Sequence, residues 1–252
     1  MTTPLEQIDR LVADWTTKAA RIDQNLVDLT SEPTFGLVAK APFEGATRDR
    51  VVPALAGVEE LFAHRRLLED VIDRARSIRA TVTPLRHGHR LVQVEQLLQG
   101  PSIALPPQPT DAASRGLLDP DEVAAQATPA QVLESMVATY DRVRALVTEV
   151  GTAWADLTPR VDAAGAAVRD LEQAARASGA AGQALFAQVS AAIDAARQLV
   201  AADPLGAAPA AVAVLPGNLA ALRRTLASTI PAPRAAAGRA GPGPADEGPV
   251  PE

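Results

Sequence analysis

The chain of 252 residues carries a net charge of −6, which argues against generic binding along a nucleic-acid backbone, where a domain-wide basic balance is expected. It has no cysteine, so structural disulfides, thiolate catalysis and cysteine-ligated zinc are excluded. Hydrophobic residues make up 47% but aromatic residues only 3%, so the apolar content is mostly Ala, Val and Leu, a mix that suits closely packed helices with thin seams.

Thr3, Pro4, Leu5 and Glu6 form a helix start: Thr3 can accept from a free backbone N–H, Pro4 suits the first helical position and Glu6 can reach back. Leu5, Ile8, Val12, Trp15, Ala19, Ile22, Leu26 and Leu29 then alternate spacings of three and four, the seam of a coiled-coil-like helix that Ser31, Glu32 and Pro33 end. Residues 32–46 hold Pro33, Gly36, Pro42 and Gly45 around Phe35, Leu37, Val38 and Phe43, which predicts an ordered loop pinned by apolar anchors. A second long helix is expected from about Thr47 to Val82, antiparallel to the first, with Val58, Leu61, Leu68, Val71, Ala75, Ile78 and Val82 as its seam and His64 on the same face. Pro53 is tolerable there only in the first turns.

After a bend at Pro84 and Gly88, Leu91, Val94, Leu97 and Leu98 mark a short helix stopped by Gly100 and Pro101. Four prolines between 101 and 109 forbid helix, so Ser102 to Leu105 should be extended. Two capped starts follow, Asp119-Pro120-Asp121-Glu122 for a short helix and Thr128-Pro129-Ala130-Gln131 for a long one. From Leu133 the three-and-four alternation runs through Pro159, where a kink is expected, to Leu171 and on to Leu199. The stretch Ser178 to Gly182 marks a turn that folds the chain back along residues 155–177. Asp203 and Pro204 stop that helix, and Leu219 to Leu226 suggest one more after Pro216 and Gly217.

The reading is all-α: long antiparallel helical hairpins in a coiled-coil-like bundle with a disordered C-terminal tail. It divides into an N-terminal hairpin with a short helix (1–100), a Pro-rich connector (101–118), a C-terminal long hairpin (119–229) and a tail (230–252) too rich in Pro and Gly to offset its ordering entropy.

Candidate chemistry is sparse. His87-Gly88-His89 lacks further ligands at metal-binding spacing, and His64 sits on a packing face. The adjacent carboxylates Glu59-Glu60, Glu69-Asp70 and Asp121-Glu122 point about 100° apart on a helix and suit solvated faces or helix starts. No nucleophile elbow, P-loop or dinucleotide fingerprint is present, so no catalytic, cofactor-binding or metal-ligating residue is assigned. Arg74, Arg76, Arg79, Arg86 and Arg90 form a basic stretch that could meet an anion or an acidic protein face, or simply a solvated helix end. No apolar run reaches the roughly 18 residues of a membrane span, and no basic-then-apolar leader opens the chain, so the cytoplasm is the expected address.

The expected function is a non-enzymatic scaffold or accessory subunit, bound through its helical seams to a protein partner or a second copy, with nucleic acid not expected. A peripheral lipid-surface protein using the faces of residues 160–229 is the alternative. Because residues 163–202 carry few large apolar side chains, this hairpin is expected to be the less stable, partner-seeking arm. Deletion of residues 231–252 should leave the melting temperature unchanged when followed by circular dichroism; a drop of several degrees would mean that the tail docks.

Overall fold

The computed structural model describes residues 3–83, 88–105, 125–177 and 183–229. Among these residues are eight helices and one two-stranded ladder: α1 (Pro4–Ser31), α2 (Pro33–Lys40), α3 (Gly45–Ala80), α4 (Gly88–Gln99), β1 (Ile103–Ala104), β2 (Gln126–Ala127), α5 (Pro129–Ala177), α6 (Gln183–Ala202), α7 (Ala207–Ala213) and α8 (Leu215–Thr229). The protein is all-α in architecture. The expected helix start at Asp119, the turn at Ser178 to Gly182 and the C-terminal tail lie outside the described residues.

The capping grammar is realised at both long helices that the sequence marks. The Thr3 hydroxyl accepts from the Glu6 N–H while the Glu6 carboxylate accepts from the Thr3 N–H, and Thr128 and Gln131 repeat the exchange at the start of α5. Helix α1 buries Ile8, Trp15, Leu26 and Leu29 and half-buries the seam residues between them. It lies antiparallel to α3, as the ion pairs Asp9 with Arg79 and Asp23 with Arg65 require, one near each end of the contact. Pro53 falls in the third turn of α3 and Pro159 deep inside α5, yet both helices continue. Both prolines are exposed, as are Asp49 and Ala155 four residues earlier, so water can take the carbonyls that lose an N–H.

Helix α5 is the spine. Its 49 residues extend about 73 Å at ~1.5 Å per residue and enter both ends of the bundle. Its first turns, through Val132 and Met136, join Ile8, Trp15, Leu26, Leu61, Leu68, Leu91 and Val94 in one apolar core. Its far half, from Leu157 to Ala175, builds a second core with α6, α7 and α8. Between them, Leu146 and Val150 pack with Val38, Phe43 and Val51, and Val143 and Val147 with Leu29 and Val58.

Four differences from the sequence expectation stand out. Residues 33–40 are a helix rather than a loop: Pro33 occupies the first helical position, where its missing N–H has no cost. Of its presumed anchors Val38 is buried, but Leu37 is 60% exposed. A short ladder pairs Ile103 with Ala127 and Ala104 with Gln126, so the fold is not free of strand. Ile103 and Ala127 are buried in the N-terminal core, which fixes the expected extended segment on the helices. In α6 the buried stripe is Phe186, Val189, Ile193, Ala196 and Val200, whereas Leu199, the expected end of the seam, is only half-buried, because Ala at so many positions allows more than one register. Helix α7 carries no periodic signal, being only seven residues of Ala, Pro and Val.

The C-terminal hairpin is also not left open. Leu215, Leu219, Leu222 and Leu226 of α8 close over α5 and α6, so the sparse seam of residues 163–202 already has a partner within the chain. Leu222 is fully buried whereas Val214 is 57% exposed. Leu222→Ala should therefore cost roughly 2–5 kcal/mol in a denaturant titration, and Val214→Ala within about 0.5 kcal/mol of nothing.

Candidate interaction groove

The site is built where three helix ends meet. Asp203 follows the last turn of α6, and its buried carboxylate turns toward the N-terminus of α3. One oxygen accepts from the Thr47 N–H at 2.9 Å and from the Thr47 hydroxyl at 2.7 Å; the other accepts from the Ala207 N–H of α7 at 2.9 Å. The Thr47 hydroxyl in turn accepts from the Leu205 N–H at 3.0 Å. One carboxylate thus serves the unpaired amides of two helix starts, one of them 156 residues away in sequence. Burial pushes the Asp203 carboxyl up, but the Thr47 hydroxyl and the amides of Ala207, Thr47 and Ala46 outweigh it and hold the group below its ordinary 3.8.

Glycine is required on both sides of this carboxylate. Gly45 has φ 54°, and a Cβ there would lie 2.6 Å from an Asp203 oxygen; a Cβ at Gly206 would overlap the same oxygen. The end of α6 is satisfied by the same junction. The Glu44 N–H donates to the Ala202 carbonyl at 2.8 Å. The Val200 carbonyl would ordinarily accept from residue 204, but Pro204 has no N–H, and the Trp154 indole donates to it instead at 2.9 Å. Phe43, from the link between α2 and α3, stacks on Trp154 with ring centroids 5.7 Å apart.

Against this junction lies a groove of 690 Å³, open to solvent, between α2, α5 and α6. Trp154, Val161 and Val200 form its floor, Leu37 stands on the α2 wall, and Ala41 and Pro42 close one side. Its polar rim is Lys40, Thr158, Asp162 and Arg197. Arg197 is shared between Asp194 at 2.9 Å and Asp162 at 3.4 Å, and the Arg169 guanidinium lies beside it over Gly165, so acids and bases balance at that corner. Among the described residues no ion pair reaches Lys40. A second groove, of 590 Å³ between α1 and α4, is more polar in its walls, with Gln7, Arg10, Asp14, Glu95 and Gln99.

Among the described residues of the basic stretch, three arginines have partners within the chain. Arg79 reaches across to α1 and binds Asp9 through two bonds of 2.6 and 2.8 Å, which raises the arginine's pKa and lowers that of Asp9. Arg76 binds Asp73 and the Thr16 hydroxyl, and Arg90 donates to the Thr81 carbonyl. Arg74 stays on the exposed face of α3; Arg86 and His87 lie outside the described residues. His64 is buried on α3 with its ring 3.8 Å from Glu60. Sequence reasoning missed the groove because its walls come from a segment read as loop and from the seam of α5. It also treated Asp203 as a helix stop only.

No family model matches the chain, and no match was found among curated proteins or solved structures.

Asp203→Ala should destabilise the protein by roughly 2–4 kcal/mol, since two helix starts lose a cap and buried amides lose their acceptor. Because the folded carboxyl lies below its ordinary value, the charge-dependent part of this stabilisation is present above about pH 3.8 and is lost as the pH falls through the lower folded value. Denaturant titrations across that window should show the gap between wild type and Asp203→Ala closing toward acid, whereas the gap for Leu222→Ala should not change in step.

Proposed function

We propose that this chain is a non-enzymatic helical scaffold or accessory subunit of the cytoplasm, which engages a helical protein surface through the groove between α2, α5 and α6. The observation that carries this reading is the form of the groove. It is apolar, open and lined by helix faces, with its charges on the rim rather than converging on its floor. Such a surface suits side chains of a packed helix at successive turns more than the enclosed chemistry of a substrate. Trp154 on the floor is the residue type that most often anchors an interface.

The lipid-surface alternative draws less support. Among the described residues from 160 to 229 the apolar faces are turned inward, with Val168, Ile193, Leu219 and Leu222 buried in one core. No helix among the described residues is long and apolar enough to cross a membrane.

A photo-crosslinking side chain placed at Leu37 tests the reading in cells of the native source. The expected product is one defined adduct, with another protein or with a second copy, that does not form when the same group replaces Val27, similarly exposed on α1. Absence of any Leu37-specific adduct would remove the support for this surface.

A further inference from the structure

We infer that α5 is hinged at Pro159 and that the junction at Asp203 is the latch that holds the two halves of the molecule, and the groove between them, in one setting. Among the described residues, the apolar core that begins at Leu157 takes its side chains from α5, α6, α7 and α8 alone. The cores before it take theirs from residues up to Trp154 and, from the far half, only Leu205. Pro159 stands in the turn where one set of cores gives way to the other, and it leaves the exposed carbonyl of Ala155 without its helical donor. A helix bends most readily at such a gap in its ladder.

Beyond α5, the hydrogen bonds between the halves gather at one place. The Thr47 N–H and hydroxyl donate to Asp203, the Leu205 N–H donates to the Thr47 hydroxyl, and the Glu44 N–H donates to the Ala202 carbonyl. A join that is small and largely polar allows two packed bodies to move about a few residues once it is released. The groove spans this join. Leu37 and Pro42 on one wall belong to the first half, and Arg197 and Ala201 on the other to the second, so release of the latch alters its width. The use of that change by a partner rests on the proposed interaction role; the motion itself does not.

The full chain tests this by double electron–electron resonance, because a sequence without cysteine accepts paired spin labels at chosen sites. Val52→Cys on α3 and Gln188→Cys on α6 place one exposed label in each half. Their distances should form one narrow distribution in the otherwise unaltered chain. Asp203→Ala should broaden it by about twofold, and Thr47→Val, which leaves the Asp203 carboxylate in place, should broaden it less. A second pair within the far half, Gln188→Cys with Ala221→Cys, should stay narrow in both variants, as intact rigid bodies require. Pro159→Ala returns a donor to the Ala155 carbonyl, and added to Asp203→Ala it should bring the distribution between the halves back toward its original width.

A distribution between the halves that is broad from the start, or that stays narrow in both latch variants, would overturn the inference. Broadening of the pair within the far half would also overturn it, since Asp203 would then hold that half together rather than latch it. A Pro159→Ala that fails to restore the width would remove the hinge. None of these results bears on the adduct at Leu37, and absence of that adduct leaves the hinge untouched.

Discussion

The carboxylate of Asp203 is the constraint on which the arrangement of helices depends. Hydrophobic burial alone would hold α6 against α5 at many axial positions, since Ala, Val and Leu repeat with little to distinguish one turn from the next. Hydrogen bonds have direction and fixed length. By accepting from Thr47 and Ala207, Asp203 sets the end of α6, the start of α3 and the start of α7 at one point. Glycines at 45 and 206 are the local condition for that approach. With those ends fixed, the link through Ala41 and Phe43 is brought onto Trp154, and α2 takes its place on the wall of the groove.

Helix α5 distributes this constraint through the molecule. It belongs to the core around Leu61 and Leu68 at one end and to that around Ile193 and Leu222 at the other. Charged pairs tie its neighbours to it and to each other: Arg50 of α3 grips Glu149 through two bonds of 2.7 and 2.5 Å, and lowers that carboxyl below its ordinary value. Both partners are about half exposed, so water screens the pair and its contribution is modest. Its role is in matching α3 to α5 along their length more than in holding them together. The burden of stability falls on the thin apolar seams.

How much of this was legible in the sequence depends on the range of the signal. Helices α1, α3 and α5 were readable because capping and heptad spacing are local: Thr3 to Glu6, Thr128 to Gln131 and the alternation from Leu133 to Leu171 need no knowledge of the rest of the chain. Helix α2 was hidden by Pro33 and Gly36, whose usual meaning as breakers is reversed when proline opens a helix. The α6 stripe was misphased because frequent Ala allows more than one register. The β1 and β2 ladder and the bond from Asp203 to Thr47 are encounters between distant segments, and no spacing in the sequence announces them. The basic stretch shows the converse: Asp73 is its only local acid, but Asp9 arrives from α1 and takes Arg79. The groove was illegible for the same reason, its walls being contributed by residues around 37, 154 and 200.

Proline at position 204 has a consequence for what the groove can select. Because Pro204 brings no donor, the indole N–H of Trp154 is spent on the Val200 carbonyl. The ring therefore meets an incoming group with its hydrocarbon surface alone and offers that group no hydrogen bond. A neutral polar side chain placed over it would find no hydrogen-bond partner in the indole to replace its hydration, whereas an aliphatic one needs none. A missing backbone hydrogen at the end of one helix thus acts as a solvent filter on the face of another.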